Sequence, residues 1–333
     1  MGHPLVSFIV LTCATGCPVV SNLPAPGRVL TQRDPELGRE YYLYVPAGYD
    51  DQKRWPLVVT CHGTPYWDTA RAQLKTWKGL AEQQGFLLAA PDLMGTASAP
   101  HSDREQIRRQ REDEQAILSI VRSIRGARSV DETRIFLTGW SAGAYAVLFT
   151  GLRHPDIFRA LSIYQGNFDP ALVEPCVPFL DRYQRVQVVY GRQDPIADAE
   201  VCIDWLRAHE MEPEVLERAG IHKRGPEPVC AFFAEVVRKH PWIRLRVHDD
   251  PLDDMRMRFS TRASFEPVKF RWDFGDGCGS AETTPEHQYD KPGQYVVRVA
   301  LWASDDRYHI RRVQLRVPRI RIGARPAATA PAP

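Results

Sequence analysis

Apolar and polar positions change rhythm once along this chain, near residue 241. Up to that point, short unbroken apolar runs alternate with stretches of helical period. Residues 56–61 (Pro-Leu-Val-Val-Thr-Cys), 86–90, 134–138, 161–164 and 186–190 are the continuous runs. Such runs are expected of strands covered on both faces. Residues 41–45 form a shorter run rich in β-formers, and residues 69–84, 104–125, 142–152 and 197–209 carry helical periodicity. Alternation of this kind predicts an α/β fold, a mostly parallel doubly wound sheet with helices on both faces.

From Trp242 the helical period stops. Short β-rich stretches at 243–247, 257–261, 268–274, 294–302 and 309–317 follow one another, separated by turn residues such as Asp273-Phe274-Gly275-Asp276-Gly277 and Lys291-Pro292-Gly293. Their spacing predicts a small all-β antiparallel sandwich over residues 243–318. Residues 18–34 read as a linker, residues 35–240 as the larger domain, and the Ala/Pro-rich residues 319–333 as a disordered tail.

Composition adds little except exclusions. With 44% hydrophobic and 25% charged positions the chain is ordinary for a globular protein. Its 43 basic and 41 acidic residues leave a net charge of +2, and arginines are interspersed with acids, as over residues 104–114. No single-sign stripe tracks a phosphate backbone, so nucleic acid is excluded as the expected partner. There is no Cys-x-x-Cys pair, which excludes a zinc knot or thioredoxin motif. One disulfide among Cys176, Cys202 and Cys230 and a set of buried free thiols fit the sequence equally.

The first 17 residues read as an address. The apolar run 5–13 is too short to span a membrane, and it ends in Ala14-Thr15-Gly16-Cys17. This predicts an export signal. The four-residue run is similar to a lipoprotein box, in which Cys17 would carry the lipid anchor to the membrane.

Candidate chemistry gathers at Gly139-Trp140-Ser141-Ala142-Gly143, which follows an apolar strand and opens a helical run. A sharp strand-to-helix turn exposes a serine hydroxyl at the carboxyl edge of a sheet, and flanking glycines let backbone and helix approach closely. Ser141 is therefore the expected nucleophile, and the Ala142 N–H an expected oxyanion donor. Asp194 lies just beyond the 186–190 strand, where ligands bind in open α/β sheets, with Asp169 as its substitute. His222, in the loop after 215–217, is the expected base, with Asp194 fixing its tautomer. His62-Gly63-Thr64 follows the 56–61 strand. Because Pro65 has no N–H, the second oxyanion donor is expected at Thr64, and His62 is read as a structural residue. Trp140, Tyr66 and Trp67 flank this place as candidate substrate contacts. No metal or organic cofactor is implied.

Two resemblances follow from these residues. Tyr42-Leu43-Tyr44-Val45-Pro46 with Gly48-Tyr49, Pro56-Leu57-Val58-Val59 leading to His62-Gly63, Ala89-Ala90-Pro91-Asp92, the serine turn, and the loops at Asp194 and His222 together resemble the α/β-hydrolase superfamily. The nearest type is the secreted polyhydroxybutyrate depolymerase/feruloyl esterase. Thr64-Pro65-Tyr66-Trp67 departs from the more glycine-rich loop usual in such relatives. The resemblance implies an exported carboxylesterase acting on a small ester or a polymer through Ser141, His222 and Asp194. A prolyl-oligopeptidase-type peptidase would use the same residues. The string Trp272-Asp273-Phe274-Gly275-Asp276-Gly277, with Pro285-Glu286-His287-Gln288-Tyr289 and Pro292-Gly293-Gln294-Tyr295, looks like a PKD (polycystic kidney disease) domain, an immunoglobulin-like sandwich. That implies contact with a polysaccharide or cell surface, and a non-catalytic binding protein is the reading of a different class. Asp273 and Asp276 are expected to organise the turn, and Trp272 to lie in the core. His248, Asp249, Asp250, Asp253 and Asp254 offer oxygens suited to calcium, but read first as a solvated acidic loop.

Overall fold

A computed structural model describes residues 27–96, 103–194, 198–250 and 253–317. The export signal, Cys17 and the Ala/Pro-rich tail lie outside the described residues.

The larger domain runs β1 (Arg28–Arg33), β2 (Glu40–Val45), β3 (Trp55–Cys61), α1 (Ala70–Gln84), β4 (Leu87–Pro91), α2 (Asp103–Ala127), β5 (Val130–Trp140), α3 (Gly143–Arg153), β6 (Ala160–Tyr164), α4 (Pro170–Val173), β7 (Arg185–Gly191), α5 (Ala199–Ala208), β8 (Glu214–Arg218) and α6 (Glu227–Lys239). Its sheet has the order β1-β2-β4-β3-β5-β6-β7-β8. The run from β4 to β8 is parallel throughout, while β2 is antiparallel to both its neighbours.

The apolar runs are explained by where alternate side chains go. Leu57, Val59, Ile135 and Leu137 face α2, α3 and α5, packing with Ile117, Val121, Val147, Leu148 and Leu206. Val58, Leu88 and Phe136 face α1 and α6, packing with Leu74, Trp77, Phe232 and Phe233. The Phe136 and Phe233 rings stack at 4.5 Å. The central strands are thus mostly apolar because both faces are covered, with Thr60, Thr138, Ser162 and Gln187 as buried polar positions among them. Helix α1 begins where Thr69 Oγ1 accepts the Ala72 N–H at 3.1 Å. It stops at Gly85, whose φ of 72° few other residues adopt without cost.

Residues 28–33, expected within a linker, form the edge strand β1, paired with β2 over their full length. Cys176, Cys202 and Cys230 are free and buried. Among the described residues no helix is long and apolar enough to cross a membrane.

The β domain follows as β9 (Ile243–Asp250), β10 (Asp253–Ala263), β11 (Lys269–Asp273), β12 (Gly279–Ser280), β13 (Glu286–Gln288), β14 (Gly293–Trp302) and β15 (Tyr308–Val317). One sheet has the order β13-β10-β9 and the other β12-β11-β14-β15. Phe259, Trp272, Phe274, Tyr289, Val297, Val299 and Leu301 fill the space between them. Asp273 Oδ1 accepts the Gly275 N–H at 2.9 Å, and Asp276 Oδ1 accepts the Cys278 N–H at 3.0 Å. Gly275 has a φ of 84°, and a Cβ there would lie 2.8 Å from the Val296 carbonyl oxygen.

The two domains meet through arginines. Arg244, 5% exposed, pairs with Asp181 at 2.9 Å and donates to the Pro155 carbonyl. Arg262 pairs with Glu132, Arg246 with Asp156 at 3.5 Å, and Arg312 with Glu210 at 3.7 Å. The Arg311 guanidinium lies 4.3 Å over the Tyr183 ring.

Candidate functional site

Strand β5 delivers Ser141 just past its carboxyl end, and Ala142 leads from it into α3. Ser141 has a φ of 55° and is 7% exposed. A non-glycine residue in the left-handed region carries strain of about 1–3 kcal/mol, and here the surroundings impose it. The Ser141 N–H donates to the Tyr164 carbonyl at 3.2 Å, and its own carbonyl accepts from Ala144 and Asn167 at 3.0 and 3.2 Å. Three glycines allow this close packing. A Cβ at Gly139 would lie 2.7 Å from Gly143 O, one at Gly143 would lie 2.5 Å from Cys61 O, and one at Gly63 would lie 2.9 Å from the Trp140 ring. The turn therefore presses directly onto β3 and the loop that follows it.

Asp194 and His222 stand beyond the ends of β7 and β8. Their loops are laced by backbone bonds, Arg192 N–H to Arg218 O at 2.9 Å and Gln193 N–H to Gly220 O at 3.4 Å. His222 Nδ1 and Asp194 Oδ2 are 2.7 Å apart, with the Asp194 side chain fully buried and that of His222 15% exposed. The His222 ring packs on Trp140 at 4.7 Å. That contact sets the imidazole beside the residue preceding Ser141. The Ser141 hydroxyl itself donates to Asn167 Oδ1 at 3.4 Å. Asp169, the substitute acid, instead caps α4 by accepting the Ala171 N–H at 2.9 Å.

The loop after β3 is organised by an acid. Asp68, with a fully buried side chain, accepts the Gly63 N–H at 2.8 Å and the Gln73 side-chain amide at 2.6 Å. The Gly63 N–H is thereby consumed, and Thr64, half-buried, carries the next backbone N–H of the loop. The Ala142 N–H lies at the start of α3, where the helix dipole favours negative charge. His62 is 1% exposed and accepts the Leu93 N–H on Nε2 at 2.9 Å. The same nitrogen lies 3.5 Å from Asp92 Oδ1. Tyr66 and Trp67 stand out into solvent, 100% and 70% exposed, and Tyr66 has a φ of 76°.

Three organising residues were not read from the sequence. Gln165 is buried just past β6, with a φ of 47°. Its amide nitrogen donates to the Ile221 carbonyl at 2.9 Å and its oxygen accepts the Lys223 N–H at 2.5 Å, so it brackets His222. Arg224 pairs with Asp68 at 3.2 Å, donates to the Trp67 carbonyl, and lies 4.8 Å over the Trp140 ring. Arg224 and Asp68 thus tie the histidine loop to the loop after β3. The available signal is position alone: Gln165 is a polar residue directly after an apolar strand, at the sheet edge that also carries Asp194.

The sheet order and the serine turn give the larger domain an α/β-hydrolase fold, and the β domain is a two-sheet antiparallel sandwich. Residues 72–176 match the prolyl oligopeptidase family, and residues 248–314 match the PKD domain. A probable feruloyl esterase C of Aspergillus terreus is 25% identical over 135 residues, a match covering 39% of this chain and 47% of that protein. The chain therefore spans about half the length of that relative. Among solved structures, a ferulic acid esterase from Anaeromyces mucronatus is 17% identical, with a TM-score of 0.47, over 61% of this chain and 86% of that one. An S-formylglutathione hydrolase from Staphylococcus aureus is 12% identical, with a TM-score of 0.48, over 65% and 96%. The fold assignment stands on the sheet order and the serine turn rather than on these two likenesses.

Proposed function

We propose that this chain is an exported serine carboxylesterase, acting on feruloyl or acetyl esters of polysaccharide or on a polyhydroxyalkanoate-type polyester. The observation that carries the reading is the 2.7 Å bond between His222 Nδ1 and the buried Asp194 carboxylate, set against the residue that precedes a strained serine. With Nδ1–H donated to Asp194, Nε2 is left as the base. The Ser141 hydroxyl swings from Asn167 to the imidazole, loses its proton to Nε2 and bonds to the ester carbonyl carbon. The Ala142 and Thr64 N–H groups stabilise the oxyanion. As it collapses, the C–O bond breaks and the imidazolium returns the proton to the departing alcohol. Water, deprotonated by the same imidazole, then releases the acid and restores Ser141. No cofactor enters these steps. Trp140, Tyr66 and Trp67 would hold the acyl group or polymer chain, and the PKD domain would meet a polysaccharide or cell surface. Export, and a lipid anchor at Cys17, rest on residues 1–17.

A second reading, a prolyl-oligopeptidase-like peptidase, is favoured by the match over residues 72–176. Hydrolysis of p-nitrophenyl acetate and butyrate, and of methyl ferulate, beside a peptidyl-prolyl p-nitroanilide separates the two. The esterase reading expects the esters to give the higher kcat/KM, and a preference for the anilide would transfer the assignment to the peptidase.

Gln165→Ala should lower kcat on the order of 10²-fold, because small displacements of a catalytic base are costly. KM should move far less, and Gln165→Glu should fail to restore the rate, since a carboxylate cannot donate to the Ile221 carbonyl. An unchanged kcat in Gln165→Ala would remove the residue from any positioning role.

A further inference from the structure

At one corner of the β domain, far in sequence from the hydrolase site, three side chains of different donor chemistry converge. Asp276 and Cys278 lie in the turn between β11 and β12, and His287 is the middle residue of β13. A carboxylate oxygen, the thiol Sγ and a ring nitrogen from these residues all lie within 4.8 Å of one another. His287 Nε2 is 2.6 Å from Asp276 Oδ2, and the other Asp276 oxygen is turned away to the Cys278 N–H. The imidazole plane is fixed from two sides. Phe274 stacks on it at 4.2 Å and 7°, and Tyr289 meets it edge-on at 4.6 Å and 84°. Tyr289 is itself held by its hydroxyl on the Phe274 carbonyl at 3.1 Å. The His287 and Asp276 side chains are 12% and 20% exposed, while Cys278 faces solvent.

We propose that Asp276, Cys278 and His287 form a binding site for a divalent transition ion of the zinc type. One sulfur, one imidazole nitrogen and one carboxylate oxygen make a donor set of mixed softness that suits zinc. Calcium requires six to eight oxygens, which this corner does not offer. With zinc–nitrogen and zinc–oxygen bonds of about 2.0 Å and a zinc–sulfur bond of about 2.3 Å, tetrahedral ligands stand roughly 3.3–3.5 Å apart. The observed cluster reaches that spacing if Cys278 closes in and the His287–Asp276 pair opens by under an ångström. Solvent supplies the fourth ligand. On binding, the thiol releases its proton and becomes a thiolate. The imidazole binds the ion through Nε2 as the tautomer protonated on Nδ1, any proton on Nε2 passing to solvent. The two glycines flanking Asp276 give the turn the freedom to make this adjustment, with φ of 84° at Gly275 and 94° at Gly277.

The other described thiols do not compete. Cys61, Cys176, Cys202 and Cys230 are buried, and burial pushes each thiol up, the last three to about 12. Cobalt(II) titration of the full, reduced chain reads the site directly. The expected result is a thiolate-to-cobalt charge-transfer band saturating at one ion per chain, abolished in Cys278→Ser. Zinc should displace the cobalt stoichiometrically. His287→Gln, which preserves the packing volume, should weaken binding at least about tenfold. Zinc should also raise the unfolding temperature of the parent chain and leave that of Cys278→Ser unmoved. Absence of the band, its survival in Cys278→Ser, or saturation only at millimolar metal would overturn the proposal. Ester hydrolysis should be indifferent to either variant, so the outcome is independent of the function assigned to Ser141.

Discussion

Ser141→Ala is expected to fold as the parent does and to hydrolyse p-nitrophenyl esters on the order of 10³-fold or more slowly. The loss should fall on kcat, because alanine removes the atom that bonds to the acyl carbon and leaves the surrounding contacts in place. A second variant separates chemistry from strain. Ser141 has a φ of 55°, imposed by the Tyr164, Ala144 and Asn167 backbone bonds and by the close approach of three glycines. Alanine inherits that conformation, whereas glycine adopts it freely. Ser141→Gly should therefore be more stable than Ser141→Ala by about 1 kcal/mol while equally inactive, as read by denaturant unfolding. Retained hydrolysis in both variants would show that another group attacks the ester. Equal stability would show that the turn stores no strain at this residue.

Asp194→Asn is the next largest effect, a fall in kcat on the order of 10⁴-fold. The asparagine is isosteric, so the buried position stays filled. What changes is the proton arrangement. The substituted carboxamide can present an N–H to His222 Nδ1, which pins the imidazole with its remaining proton on Nε2, the atom that must accept the serine proton. Nearly unchanged KM with collapsed kcat is the expected signature in steady-state kinetics. A loss of less than about tenfold would mean that the 2.7 Å contact is structural and that the acid lies elsewhere.

The parts of this molecule that could be read from sequence are those where one residue's environment is set by its immediate neighbours. Strands β3 to β7 are legible because both faces are covered and their central positions are mostly apolar. The serine turn showed itself because its glycines are required by contacts within one strand–turn–helix unit. Strand β1 escaped notice because it is an edge strand whose residues alternate between exposed and half-exposed, so Arg28–Arg33 has no apolar face to display. Strand β5 extends four residues earlier than its apolar core, since Val130 pairs with Trp55 across an irregularity in register. Gln165 and Arg224 were invisible for a different reason. Gln165 bonds the backbone 56 and 58 residues away, and Arg224 bonds that of Trp67, 157 residues away. A side chain gripping distant backbone leaves no periodicity. The Asp276, Cys278 and His287 cluster was hidden in the same way, because only the β11–β12 turn and the pairing of β13 with β10 bring its members together.

The arginine seam between the domains has a geometric consequence. Its acceptors are Glu132 at the start of β5, Pro155 and Asp156 ahead of β6, Asp181 ahead of β7 and Glu210 ahead of β8. All of them lie where the parallel strands begin, whereas Ser141, Asp194 and His222 lie where the strands end. The full length of the sheet, roughly 17–23 Å for strands of this size, separates the two poles. The β domain is therefore joined at one pole of the sheet, and the serine opens at the other. If the β domain meets a surface as proposed, Ser141 lies at the pole of the sheet away from that contact.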